Sequence, residues 1–172
     1  MHIMLDLETM GTRPDAPIIA IGAVAFDKEG VHASFYEVLS LAWAVRDGAV
    51  MSPETVIWWL QQSDEARSAI TRGGIEPRVA LGRFSRFVEL HRGDAMWGNG
   101  ASFDNVILSE TYLRLGMKAP WPFWKDKCYR TAKGMYPDVR MERSGTHHNA
   151  LDDARSQAEH LIAINAAHGG FL

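Results

Sequence analysis

The chain is predicted to fold as a mixed α/β domain, a five-stranded sheet flanked by helices, and three observations predict it. The first forty residues hold three strand-like runs in close succession, and the remainder alternates helical with short strand-like segments. Ile18 to Phe26 is a nearly continuous apolar run with β-branched residues, the pattern of a strand buried on both faces. At 172 residues, with 47% hydrophobic and 23% charged residues, the composition suits one ordered domain over 1–172 and excludes a disordered chain. The single Cys128 excludes an internal disulfide framework and any cysteine-based zinc cluster.

Taken in order, Ile3-Met4-Leu5 forms a strand that runs into Asp6-Leu7-Glu8, and a third strand near Ser34 to Leu39 completes an early meander with Ile18 to Phe26. Ser52 as N-cap and Pro53 in the first turn start a helix carrying Trp58, Trp59 and Leu60. Adjacent helix positions cannot face the same way, so one of the two tryptophans belongs to the core. A second helix is expected from about Glu76 to His91, where Val79, Phe84, Phe87, Val88 and Leu90 recur at near-helical spacing. Ala95-Met96-Trp97 reads as a short strand ended by Gly98-Asn99-Gly100, and Ser102-Phe103-Asp104 opens the next helix. A short strand near Asp126 to Tyr129 and a helix from about Asn149 to Ala167 follow.

Charge is distributed unevenly. The net charge of −3 argues against a polyanion partner, yet the segment from Arg114 to Arg143 holds eight basic residues against three acidic ones. An acidic body with one basic stretch suits a polyanion held at a site built from carboxylates. The start of the chain has neither the basic head nor the unbroken apolar run of a secretory signal, and nowhere do about 18 apolar residues run together. A cytoplasmic protein with no membrane partner is the expectation.

Three segments carry potential chemistry. Asp6 and Glu8 stand two apart at the end of a strand, so they share a face, and two carboxylates on one face repel unless a cation lies between them. Asp104 falls at the start of a helix, where it either caps the helix or joins a site; the glycines at 98 and 100 remove bulk beside it. In the last helix, Asp152 lines up with Arg155, Ser156 and Glu159 on an outward stripe, whereas Asp153 falls beside Ala150, Ala154, Gln157 and Leu161. A carboxylate in that company needs a cationic partner, since an unpaired buried charge costs several kcal/mol. His147 and His148 lie in the turn entering this helix, and spacing alone does not choose between them.

Together these segments resemble the three motifs of the DEDDh branch of the DnaQ-like 3′-5′ exonucleases, which have a ribonuclease H-like fold. Asp6-Leu7-Glu8-Thr9-Met10-Gly11 resembles the first motif, Asn99-Gly100-Ala101-Ser102-Phe103-Asp104 the second, and His148-Asn149-Ala150-Leu151-Asp152-Asp153-Ala154 the third. Each motif alone is weak; three in this order, spanning Asp6 to Asp153, are specific. The Trp97-Gly98-Asn99-Gly100 run and the Trp58-Trp59 pair are similar to those of compact stand-alone bacterial and phage exoribonucleases and exonucleases.

The resemblance implies that Asp6, Glu8, Asp104 and Asp153 hold two Mg²⁺ ions, with Mn²⁺ able to substitute, and that His148 is the general base. Thr9, Met10, Thr12, Asn99 and Arg130 would contact the substrate, Met10 by wedging against the terminal base. The implied activity is removal of nucleoside monophosphates from single-stranded 3′ ends or overhangs of RNA in preference, with DNA as the alternative and an idle nucleic-acid-binding module as the rival. All motif residues are present, which argues against that rival. Homodimerisation is implied by the compact relatives.

Overall fold

The computed structural model describes residues 1–170 and 172. Five strands form one sheet: β1 (His2–Thr9), β2 (Ile18–Asp27), β3 (Gly30–Val38), β4 (Ala95–Gly98) and β5 (Asp126–Cys128), in the order β3-β2-β1-β4-β5. The first three are an antiparallel meander, while β4 and β5 run parallel to β1. This is the mixed sheet expected from the sequence, with the third strand starting earlier, at Gly30.

Among the described residues seven α-helices accompany it: α1 (Leu41–Arg46), α2 (Pro53–Leu60), α3 (Asp64–Thr71), α4 (Pro77–Leu90), α5 (Asp104–Arg114), α6 (Tyr129–Met135) and α7 (Ala150–His168). The side chain of Ser52 caps α2 by accepting from the Thr55 amide, as expected. The short helices α1, α3 and α6 were not anticipated, because one or two turns are too short for apolar periodicity to show. Ser63 followed by Asp64 and Glu65 was the one local signal for α3, and the Ser63 hydroxyl does accept from the Ala66 amide.

Alternation along β1 divides the core. Ile3, Leu5 and Leu7 pack with Leu81, Phe84 and Val88 of α4 and Ile107, Leu108 and Tyr112 of α5. Met4 points the other way, to Ala154, Ala158, Leu161 and Ile164 of α7. Asp6 and Glu8 continue the Met4 row, so the period of two that buries the strand also aims its two acids at α7.

Helix α7 crosses β1, β2 and β3. Its alanine stripe keeps it close to the sheet, and closest at Gly22 of β2, where an added Cβ would meet the Ala150 carbonyl carbon at 2.1 Å. The segment leading into α7 is tied down by Tyr129, whose hydroxyl pairs with His160 Nδ1 at 2.7 Å while His160 Nε2 reaches the Val139 carbonyl at 2.9 Å. No described helix is long and apolar enough to cross a membrane.

Candidate active site

A cleft of about 500 Å³ opens at the carboxyl ends of the parallel strands β1 and β4, the place where sheets of this kind bind ligands. The acids Asp6, Glu8, Asp104 and Asp153 all line it, as do Thr9, Thr12, Asn99, Arg130 and His148.

Each acid arrives on a different support. Asp6 and Glu8 stand on one face of β1, and one carboxylate oxygen from each lies within 4.8 Å of a carboxylate oxygen of Asp153. Asp104 begins α5, where Phe103 rather than Ser102 occupies the cap position. Its Oδ1 accepts from the Leu7 amide at 3.2 Å, so it is turned toward β1 and caps nothing. Gly98 makes this possible: a Cβ there would lie 3.0 Å from Asp104 Cβ and 2.3 Å from Asn105 Oδ1. Asp104 Oδ2 is buried and has no hydrogen-bond partner among the described residues.

Asp153 sits in the first turn of α7, largely buried, and accepts from the His148 amide at 3.0 Å and from Arg143 at 2.5 Å. Asp152, its neighbour, turns aside to accept from the Thr146 amide at 2.8 Å and so closes the preceding turn. One helical turn beyond Asp153, Gln157 donates from Nε2 to Asp6 Oδ1 at 2.7 Å. Its Oε1 is buried and unpartnered among the described residues. Helical spacing puts Gln157 on the Asp153 face but assigns it no role, and Arg143 stands out in the sequence only as one of the basic residues. The four-residue spacing from Asp153 was the available signal for Gln157.

The electrostatics are those of a cluster short of positive charge. Burial, followed by the charges of Asp104, Glu8 and Asp153, raises the Asp6 carboxyl well above the ordinary carboxylate range. Burial, followed by Asp153 and Asp104, pushes Glu8 up to about 8. Asp104 is raised by burial as well, against the amide of Leu7 that favours its charged form. Acids so crowded stay ionised only with cations among them, and the buried Asp104 Oδ2, with no hydrogen-bond partner among the described residues, is an oxygen such a cation could take. An all-oxygen donor set of this kind fits Mg²⁺ or Mn²⁺.

His148 adopts a left-handed backbone, with φ of 62°. Its ring lies edge-on to Trp58 at 4.8 Å between centroids. Burial, and after it the charge of His147, lowers its pKa below the usual histidine value. Of the two tryptophans, Trp59 is the core residue at 4% exposure, and its Nε1 donates to the Thr9 carbonyl at 2.9 Å. Trp58 is 40% exposed on the cleft wall. Met10 packs with Ile19, Trp59 and Ala66. Met10 lies just past the end of β1, where strand alternation no longer applies, and it is not among the residues that line the cleft.

Likenesses to known proteins bear on the family and the fold. The family model of the 3′-5′ exoribonuclease Rv2179c-like domain matches residues 1–165. An exodeoxyribonuclease of Enterobacteria phage T4 is 26% identical over 155 residues, covering 74% of this chain and 68% of the phage protein. Among solved structures, the nuclease domain of 3′hExo, a DEDDh family member bound to rAMP, has a TM-score of 0.65 at 15% identity, covering 96% of this chain and 92% of that one. Pop2p of S. pombe, in its Mg²⁺- and Mn²⁺-bound form, has a TM-score of 0.63 at 14% identity, with 99% and 85% covered. Exonuclease X in complex with 5′-overhanging duplex DNA has a TM-score of 0.60 at 17% identity, with 99% and 95% covered. These structures share the fold, the ribonuclease H-like sheet flanked by helices. The protein belongs to the 3′-5′ exoribonuclease Rv2179c-like domain family.

Proposed function

We propose that this exonuclease removes nucleoside monophosphates from the single-stranded 3′ ends or overhangs of RNA, using two Mg²⁺ ions for which Mn²⁺ substitutes. The observation that carries the reading is the convergence of four acids and His148 on one cleft, with the acids too crowded and too buried to be ionised without cations. Paired divalent ions supply an activated water and stabilise the charge that develops on the phosphate and the leaving oxygen.

The chain's own groups have separable tasks. Asp6, Glu8, Asp104 and Asp153 hold the cations. His148, its pKa held low by burial, is neutral near pH 7 and accepts the proton of the attacking water. Trp58 offers a stacking face for a base, worth about 1–3 kcal/mol where such contacts form. Thr9, Thr12 and Asn99 meet the terminal nucleotide, and Arg130 meets a phosphate. The family's description favours RNA. The phage relative favours DNA with the same chemistry, and this is the second reading.

The test is digestion of matched 3′-labelled RNA and DNA oligonucleotides in Mg²⁺. Mononucleotides released faster from RNA are expected; faster release from DNA would shift the reading to an exodeoxyribonuclease, and internal fragments would refute it. Asp104→Asn should lower turnover by more than about 100-fold, since altering a group that merely supports a ligand already costs about 10–100-fold.

A further inference from the structure

The turn that enters α7 carries a second donor set of different chemistry. Neighbouring residues in a chain usually project apart, but the left-handed backbone at His148 folds the two imidazoles together, with ring centroids 3.8 Å apart and planes inclined by 31°. A ring nitrogen of His147, a ring nitrogen of His148 and a carboxylate oxygen of Asp153 all lie within 4.8 Å of one another. Donors about a tetrahedral zinc ion, with bonds of about 2.0–2.1 Å, stand roughly 3.3 Å apart, a spacing that modest rotations of two rings reach. His147 is exposed, so the set is open to ions from solvent.

Two imidazoles and one carboxylate suit borderline-soft Zn²⁺, with a fourth position left to water, and suit Mg²⁺ poorly. Asp153 also belongs to the all-oxygen group with Asp6 and Glu8. We propose that His147, His148 and Asp153 form a transition-metal site, with Zn²⁺ as its type ion, that withdraws Asp153 from the magnesium-type centre and occupies the His148 ring. The two sites compete through one shared ligand, and the ion takes over from Arg143 the neutralisation of Asp153. Zinc is then an inhibitor whose potency falls as Mg²⁺ rises. That inhibitory consequence rests on the exonuclease reading; the binding of the ion does not.

The direct test uses Co²⁺, a coloured stand-in for zinc, on the whole protein. Wild type should develop the visible bands of tetrahedral cobalt and lose them when one equivalent of Zn²⁺ is added. His147→Ala should abolish the bands, His147→Cys should restore them through a thiolate ligand, and Asp6→Asn should leave them in place. In the activity assay His147→Ala should retain Mg²⁺-supported turnover and need at least about tenfold more Zn²⁺ for half inhibition, the 10–100-fold scale of altered metal sites. No tetrahedral band in the wild type, or a band that survives His147→Ala and vanishes in Asp6→Asn, would overturn the proposal. Absence of nucleotide release in Mg²⁺ alone would count against the exonuclease reading, and the cobalt spectra would still decide the site.

Discussion

Gln157 is the least conspicuous of the groups that shape the acid cluster. It brings an N–H to Asp6 without adding charge, and it does so from the helix that also brings Asp153. Gln157→Leu keeps the approximate volume and removes the donor, so Asp6 loses the hydrogen bond that fixes its orientation. Mn²⁺ affinity is expected to fall by about 10–100-fold, as for other residues that orient a metal ligand, and titration followed by electron paramagnetic resonance measures it. The acids themselves set a pH dependence for the metal-free protein. Asp6, Glu8 and Asp104 bind protons in the folded state well above the pH at which they ionise in the unfolded chain. Between roughly pH 4 and 8 the folded state therefore binds more protons than the unfolded one, and stability must fall as pH rises through that window. Melting of the protein in chelator should drop from pH 5 to pH 8, and added Mg²⁺ should recover most of the loss at pH 8; a melting temperature that climbs with pH in chelator would contradict the burial of this cluster. Much of the site was legible at this scale, because alternation along a strand puts Asp6 and Glu8 on one face and helical spacing turns Asp153 inward. Arg143 was not legible: it lies in an irregular segment, where no periodicity says which way a side chain points.

At the scale of elements, the site depends on how near α7 comes to the sheet. Gly22 and the alanines of α7 permit the contact, and the contact sets the reach of Asp153 and Gln157 toward β1. Gly22→Ala should force the first turn of α7 away from β2 and cost about 1–3 kcal/mol, the usual penalty of overpacking, with a larger proportional loss of activity than of folded protein. Chemical denaturation alongside turnover per folded molecule separates the two effects. The long elements could be read from the chain, because β2 is apolar throughout and α4 and α7 sustain their periodicity over several turns. Asp104 was the exception, since its place at a helix start by itself left a cap and a site equally open. The contact with the Leu7 amide and the missing side chain at Gly98 show that it faces β1, as the motif resemblance implied.

Over the whole molecule, charge is divided between an acidic body and a basic segment that reaches the cleft at Arg130. A strand entering the cleft exchanges its counterions for such side chains, which makes binding weaken as salt rises. Arg130→Ala should raise KM several-fold with little change in kcat, and should flatten the dependence of log KM on log salt by about 0.7, the contribution of one phosphate contact to a single strand. A loss confined to kcat would place Arg130 in the chemical step instead.

The bond from Gln157 to Asp6 joins residues 151 positions apart, linking the central strand to the last helix. A growing polypeptide that has already paired its first three strands still lacks Asp153, Gln157 and the turn that holds His148. The acid cluster is thus complete only once the final helix has docked on the sheet, so the last-made part of the chain closes a site that the first-made part begins.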